Sequence, residues 1–249
     1  MVSIPEPGAS IPEPGASIPE PGQDPGAPLV AEWLGRRRFA EVLELQLAAR
    51  EALAAGEGPP RLFLVEHPPT LTLGRRATRD DVLWSDEELR AASMEVCETP
   101  RGGEVTLHAP GQLVAYPVLY IGRRIRSLII DLAETARELL AEYGVAGCEF
   151  RMAHPGLWLG ETKLASLGLH VSRGISVQGI AINLEVDPAL FESLVSCGLP
   201  GIKVTSAARV GAGVVPPLPE AARRYADLFA ARRGVTLRWL DEARASNSD

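Results

Sequence analysis

Cys197 and Lys163 are the two side chains best suited to chemistry, and each sits in a segment built to present it. Cys197 lies in Ser196-Cys197-Gly198-Leu199-Pro200-Gly201, and Lys163 in Gly160-Glu161-Thr162-Lys163-Leu164-Ala165-Ser166-Leu167-Gly168. A free cysteine in a core behaves as an inert small hydrophobe. In a turn punctuated by glycine and proline the thiol can be exposed, backbone N–H groups can face a ligand, and an ammonium nearby would favour the thiolate. Such a pair, if it meets in space, suits acyl transfer through a thioester. Taken singly, each residue also has an ordinary reading, Lys163 as a solvated strand-end lysine and Cys197 as a structural thiol.

The second informative stretch is Arg101-Gly102-Gly103-Glu104-Val105-Thr106-Leu107-His108-Ala109-Pro110-Gly111-Gln112. Paired glycines ahead of a strand let a ligand approach the backbone, because no Cβ intervenes. Arg101 could hold a carboxylate or phosphate. His108 ends the strand as a site residue would, or as a satisfied structural donor would. The stretch has neither the glycine spacing of a dinucleotide fingerprint nor the Gly-Lys-Ser/Thr of a phosphate loop.

The elements that must position these residues read as strands in runs with helices between the runs, an α+β domain with a mixed sheet covered by helices. Residues 31–55 read as a helix closed by Gly56, and Arg61–Glu66 and Thr70–Leu73 as strands. Ser85 and Glu88 form a capping-box start for a short helix. Strands follow at 94–98, 104–108 and 112–120, and Ser127 is expected to cap a helix to about Tyr143. Further strands are expected at 156–159, 163–171 and 175–186, then a short helix opened by Asp187-Pro188, a helix at 219–233 and a strand at 235–240. Residues 29–240 make up the expected globular domain, and 241–249 a polar tail. Residues 1–28 carry Ser-Ile-Pro-Glu-Pro-Gly-Ala in a strict seven-residue repeat. Two prolines per repeat forbid a helix, so this tract is expected to be extended and disordered.

Composition narrows the function classes. A net charge of −7 argues against nucleic acid as the main partner. Three cysteines without close spacing give no disulfide framework, and the four histidines have no metal-ligand spacing, so no metal is expected. No apolar run has the length of a membrane span and no signal peptide opens the chain, so no membrane association and a cytoplasmic location are expected.

The two stretches, with Glu66-His67-Pro68-Pro69-Thr70-Leu71-Thr72-Leu73-Gly74-Arg75, Gly156-Leu157-Trp158-Leu159-Gly160 and Gln178-Gly179-Ile180-Ala181-Ile182-Asn183-Leu184, resemble the lipoyl(octanoyl) transferases. The likeness spans about residues 30–240. It implies a fold like the catalytic domain of biotin and lipoate ligases and no cofactor. It implies transfer of an octanoyl group from acyl carrier protein to a lysine of lipoyl domains, those of 2-oxoacid dehydrogenase complexes and of the glycine cleavage H protein. The family's nucleophile maps onto Cys197 and its assisting lysine onto Lys163. The family's acyl-binding segments map onto Arg101, Gly102, Gly103, Glu104, Val105, Thr106, Leu107 and His108; onto Ser166, Leu167 and Gly168; and onto Gly179, Ile180 and Ala181. This chain has Gln178 where many members carry histidine, Ala109 where glycine is usual, and Ser196 where proline usually precedes the cysteine. Two other readings stand beside it: an ATP-dependent lipoate ligase of the same fold, and a non-catalytic module that holds an acyl chain or lipoyl domain. Arg75, Arg76 and Arg79, with Arg123, Arg124 and Arg126, are candidates for a basic rim that steers an acidic carrier protein.

Overall fold

The computed structural model describes residues 27–195, 202–211 and 213–240. Strand β1 (Leu29–Arg36) leads into helix α1 (Phe39–Ala55), strands β2 (Arg61–Glu66) and β3 (Thr70–Leu73), and short helix α2 (Asp86–Ala91). Strands β4 (Glu95–Glu98), β5 (Val105–His108) and β6 (Gln112–Val118) precede the long helix α3 (Ile125–Glu142). Then come β7 (Glu149–Arg151), β8 (Gly156–Leu159), β9 (Thr162–Ser172), β10 (Ile175–Asn183), the two-residue β11 (Lys203–Val204), helix α4 (Leu218–Arg233) and β12 (Leu237–Trp239).

Among the described residues, a nine-stranded mixed sheet runs in the order β12-β1-β2-β6-β10-β9-β8-β7, with β11 pairing to β9 off that path; β4-β3-β5 form a second, three-stranded sheet. All nine residues of β10 are buried, which requires cover on both faces. On one face α3 and α4 supply it. The α3 positions Leu128, Leu132, Ala136, Leu139 and Leu140 recur at three- and four-residue steps, so they form one apolar stripe against Leu113, Ala115, Ile180 and Ile182. On the other face Phe39 and Val42 of α1 pack on Phe63, Val114, Tyr116, Val177 and Ala181. The small sheet has its own core, with Leu71, Val105 and Leu107 against Val82, Leu89 and Leu194.

The α+β expectation holds, with local corrections. Residues 31–36 are strand, not the first turns of a helix, because Leu29–Ala31 pair with Leu237–Trp239 and Val30–Trp33 with Arg61–Leu64. Helix α1 begins only at Phe39. The capping box at Ser85 is present: Ser85 N donates to Glu88 Oε2 at 2.7 Å and Glu88 N donates to Ser85 Oγ at 3.3 Å. Ser127 does not cap α3, which starts two residues earlier behind Arg124. The expected repeat tail, apart from its last two residues, and residues 241–249 lie outside the described residues.

Candidate active site

Strand alternation builds a cavity between the two sheets. On β5, Thr106 and His108 face it while Val105 and Leu107 turn into the small core, as a two-residue period requires. On β9 and β10, Ser166, Leu167 and Gly168 lie opposite Gly179, Ile180 and Ala181, in the register Ser166↔Ala181, Leu167↔Ile180 and Gly168↔Gly179. These residues, with Arg101, Val114, Tyr116 and Gln178, line a narrow cavity of about 20 Å³. The two glycines are what let the strands come this close. A Cβ on Gly179 would collide with the Ala115 carbonyl oxygen of β6. One on Gly168 would press to 3.3 Å on the Arg101 side chain.

The three segments marked in the sequence thus meet at one place. Gly102, Gly103 and Glu104 lie beside the wall: Gly102 N donates to Leu169 O at 3.2 Å, Gly103 O accepts from Arg76 N at 3.1 Å, and the Glu104 carboxylate pairs with Arg76. Arg101 is buried and braces the loop, its guanidinium donating to Thr72 O at 2.5 Å and Thr72 Oγ1 at 2.8 Å.

A buried polar chain leaves the cavity from His108. Gln112 donates Nε2 to Leu107 O (3.3 Å) and to Asn183 Oδ1 (2.9 Å), so its Oε1 is the acceptor facing His108 Nδ1 at 2.8 Å. His108 therefore carries its proton on Nδ1, and Nε2 is the basic nitrogen. Asn183 Nδ2 passes the chain to Thr205 O at 3.0 Å, and Thr205 N donates to Lys163 O at 3.0 Å. Beside His108, His67 donates Nδ1–H to Arg37 O at 2.7 Å and accepts from the Tyr116 hydroxyl at 3.0 Å. The two imidazoles meet edge-on with centroids 5.3 Å apart. Burial pushes His67 down to about 4; burial and then the His67 ring push His108 down to about 3, so both are neutral near pH 7.

Lys163 is only 3 % exposed. It pairs across the sheet with Trp158 of β8 and with Val204 of β11. Its Nζ lies 5.5 Å from the Trp158 ring centroid, and Arg151 covers the same indole at 5.1 Å. Gly156 makes this possible, since a Cβ there would lie 2.5 Å from Lys163 Cε and collide with Ala165 O. Cys197 lies outside the described residues. Its flanks are fixed: Leu194 bridges Val82, Val195 N donates to Asp81 O at 2.8 Å, and Lys203 pairs with Thr162. Cys97 and Cys148 are free, and burial pushes both thiols up, away from the thiolate.

The basic rim is not gathered at Lys163. Arg123, Arg124 and Arg126 follow Tyr120, whose bridge to Ile175 sets them at the opposite end of β10 from the Ile182↔Ala165 pair that leads to Lys163. Arg79 is tied to Val82 O, Trp84 O and Asp86.

Sequence reasoning missed Gln112, Asn183 and Thr205 as linking residues, and Gln46 and Thr99 as partners of Gln178. The available signal was a polar amide in an otherwise apolar buried strand, as at Gln178 and Asn183.

Residues 38–219 match the lipoyl protein ligase A/B catalytic domain. The octanoyltransferase of Desulfovibrio desulfuricans is 38% identical over 199 residues, covering 79% of this chain and 83% of that one. That of Acidobacterium capsulatum is 42% identical over 188 residues, covering 70% and 76%. Among solved structures, a bipartite lipoate protein ligase from Thermoplasma acidophilum superposes with a TM-score of 0.67 at 14% identity, over 88% of this chain and 90% of that one. A lipoate-protein ligase A bound with ATP superposes with a TM-score of 0.66 at 15% identity, over 89% and 92%. At such low identity these structures show the fold, the mixed sheet flanked by helices. The family match and the curated relatives go further: this chain belongs to the octanoyltransferases of the lipoyl protein ligase A/B catalytic-domain family and is an acyltransferase.

Proposed function

We propose that the protein takes an octanoyl group from octanoyl-acyl carrier protein onto Cys197 and passes it to a lysine of a lipoyl domain, without ATP. In the first step the Cys197 thiolate attacks the carbonyl carbon, a C–S bond forms, and the carrier's thiolate leaves. In the second the neutral substrate amine attacks the Cys197 thioester, a C–N bond forms, the Cys197 C–S bond breaks, and the amine proton passes to a base. Lys163 is assigned as the ammonium that favours the thiolate; it gives a proton to the departing carrier thiolate and, now neutral, takes the proton of the attacking amine. Lipoyl domains of 2-oxoacid dehydrogenase complexes and the glycine cleavage H protein are the proposed acceptors, in the cytoplasm.

The observation that carries this reading is the cavity itself. The acyl-binding segments expected from the sequence converge on one narrow, largely apolar space whose β9 wall runs on to Lys163.

Mass spectrometry of the protein incubated with octanoyl-acyl carrier protein tests the reading. An octanoyl adduct on Cys197 is expected, absent in Cys197→Ser and slower to form in Lys163→Ala. Lipoyl-domain acylation with Cys197 never modified would overturn the mechanism, and ATP–pyrophosphate exchange driven by free octanoate would replace it with a ligase.

A further inference from the structure

Gln178 is an oddity in a strand that is buried along its whole length. It is a non-glycine residue with φ of +65°, a backbone conformation that side chains other than Asn, Asp and His seldom adopt. Strain of this kind persists only where the surroundings hold it. Here they do. The Gln178 backbone N–H points out of the sheet and donates to Gln46 Oε1 of α1 at 2.7 Å, across 132 residues of sequence. Its side-chain Nε2 donates to Thr99 Oγ1 at 3.1 Å. Gln46 is fully buried and spends its Oε1 on this contact, while its own Nε2 has no hydrogen-bond partner among the described residues. A helix glutamine is thus kept in the core at the cost of an orphaned donor, and the visible return is a fixed Gln178.

The position of Gln178 in the cavity gives that arrangement a use. The β9–β10 register runs Ile182↔Ala165, Ala181↔Ser166, Gly179↔Gly168, Gln178↔Leu169, each step leading away from Lys163. Gln178 is the cavity-lining residue of β10 furthest from Lys163, and it is 2 % exposed. An acyl chain whose carbonyl reacts at the Lys163 end therefore directs its methyl end toward Gln178. A methyl group pushed past this point must displace the amide, break its bond to Thr99 and leave buried polar atoms unpaired.

We propose that Gln178, pinned by Thr99 and Gln46, is the stop that sets the upper limit of acyl-chain length. The inference rests on the acyl-transfer reading for which end of the cavity is reactive, and it names the specificity of that same site.

The test compares octanoyl and dodecanoyl thioesters as donors with the full-length protein. Gln178→Gly removes the stop and relaxes the backbone, since glycine adopts positive φ freely. It should shift the ratio of kcat/KM toward dodecanoyl by about tenfold or more, the scale of discrimination that one or two methylenes give in an apolar pocket. Thr99→Val keeps the volume but removes the acceptor that holds the amide, and should shift the ratio in the same direction by less. An unchanged ratio in both variants, or an equal loss with both donors, overturns the proposal. Thermal stabilisation by free octanoate against free dodecanoate reads the same preference without turnover. A protein that selects length in that assay yet forms no Cys197 adduct keeps the stop and loses the thioester mechanism.

Discussion

The Lys163 ammonium lies 5.5 Å from the centre of the Trp158 indole, on the neighbouring strand with which it pairs. A cation over an aromatic face is attracted by the ring quadrupole, by about 1–2 kcal/mol where water is largely excluded. The indole is itself held, with its Nε1–H donating to His154 O at 3.2 Å and Arg151 over the ring. Trp158 therefore aims the ammonium. Trp158→Leu should lower octanoyl transfer about tenfold, the rate equivalent of roughly 1.4 kcal/mol, while Trp158→Phe loses less. Steady-state kinetics with one donor separate the two variants, and equal losses would mean that the ring acts by bulk alone.

Gly156 and Gly179 are demanded by close backbone approach. A Cβ at Gly179 would meet the Ala115 carbonyl and the Pro117 ring, and neither can give without opening the β6–β10 ladder. Gly179→Ala should cost about 3 kcal/mol or more, read as a lower urea midpoint. Gly156→Ala should cost activity as well as stability, because it meets Lys163 Cε. A normal midpoint for Gly179→Ala would contradict the register described.

The buried imidazoles make stability depend on pH in a defined window. Both His67 and His108 have folded values, about 4 and about 3, below the ordinary 6.5. Between these limits the unfolded chain binds more protons than the folded one, so stability is complete above about pH 6.5 and falls as pH drops. The slope is about 1.4 kcal/mol per pH unit for each ring. His170, also held down by burial and then by Arg50 and Arg75, acts in the same direction. Urea midpoints between pH 7.5 and 5 measure the slope, and His108→Gln should remove one ring's share. A flat profile would mean that the rings take up protons in the folded state.

Asn183 joins two elements that share no strand pairing, taking a bond from Gln112 and giving one to Thr205. Asn183→Leu leaves the Gln112 amide and the Thr205 carbonyl without these partners, and should destabilise the protein by roughly 1–3 kcal/mol. Hydrogen exchange at the Thr205 amide, which donates to Lys163 O, should accelerate with it. Unchanged protection there would mean that β11 is held without Asn183.

These relationships show which part of the molecule was written locally. The capping box at Ser85, the stripe on α3 and the Gly-rich stretches around Gly102 and Gly179 depend on neighbours within a few residues, and the sequence displays them. Residues 31–36 read as helix from sequence because Ala31, Glu32 and Leu34 favour helix and outweigh Trp33. Their state is imposed by partners at 61–66 and 237–239. Lys203–Val204 is too short to show any period. The Gln46–Gln178 tie spans most of the chain, and only its anomaly, amides where a core wants hydrocarbon, was there to read.

The pairing of β1 with β12 has a mechanical side. The strands are parallel, with Leu29 beside Leu237 and Ala31 beside Trp239. A pull on Leu29 and Trp239 in opposite directions runs along both strands and loads their hydrogen bonds in shear, together instead of one at a time. An antiparallel seam at the same edge would unzip. The sheet that carries the cavity is thus guarded at its outer margin by a clasp that resists tension applied through Leu29 and Trp239.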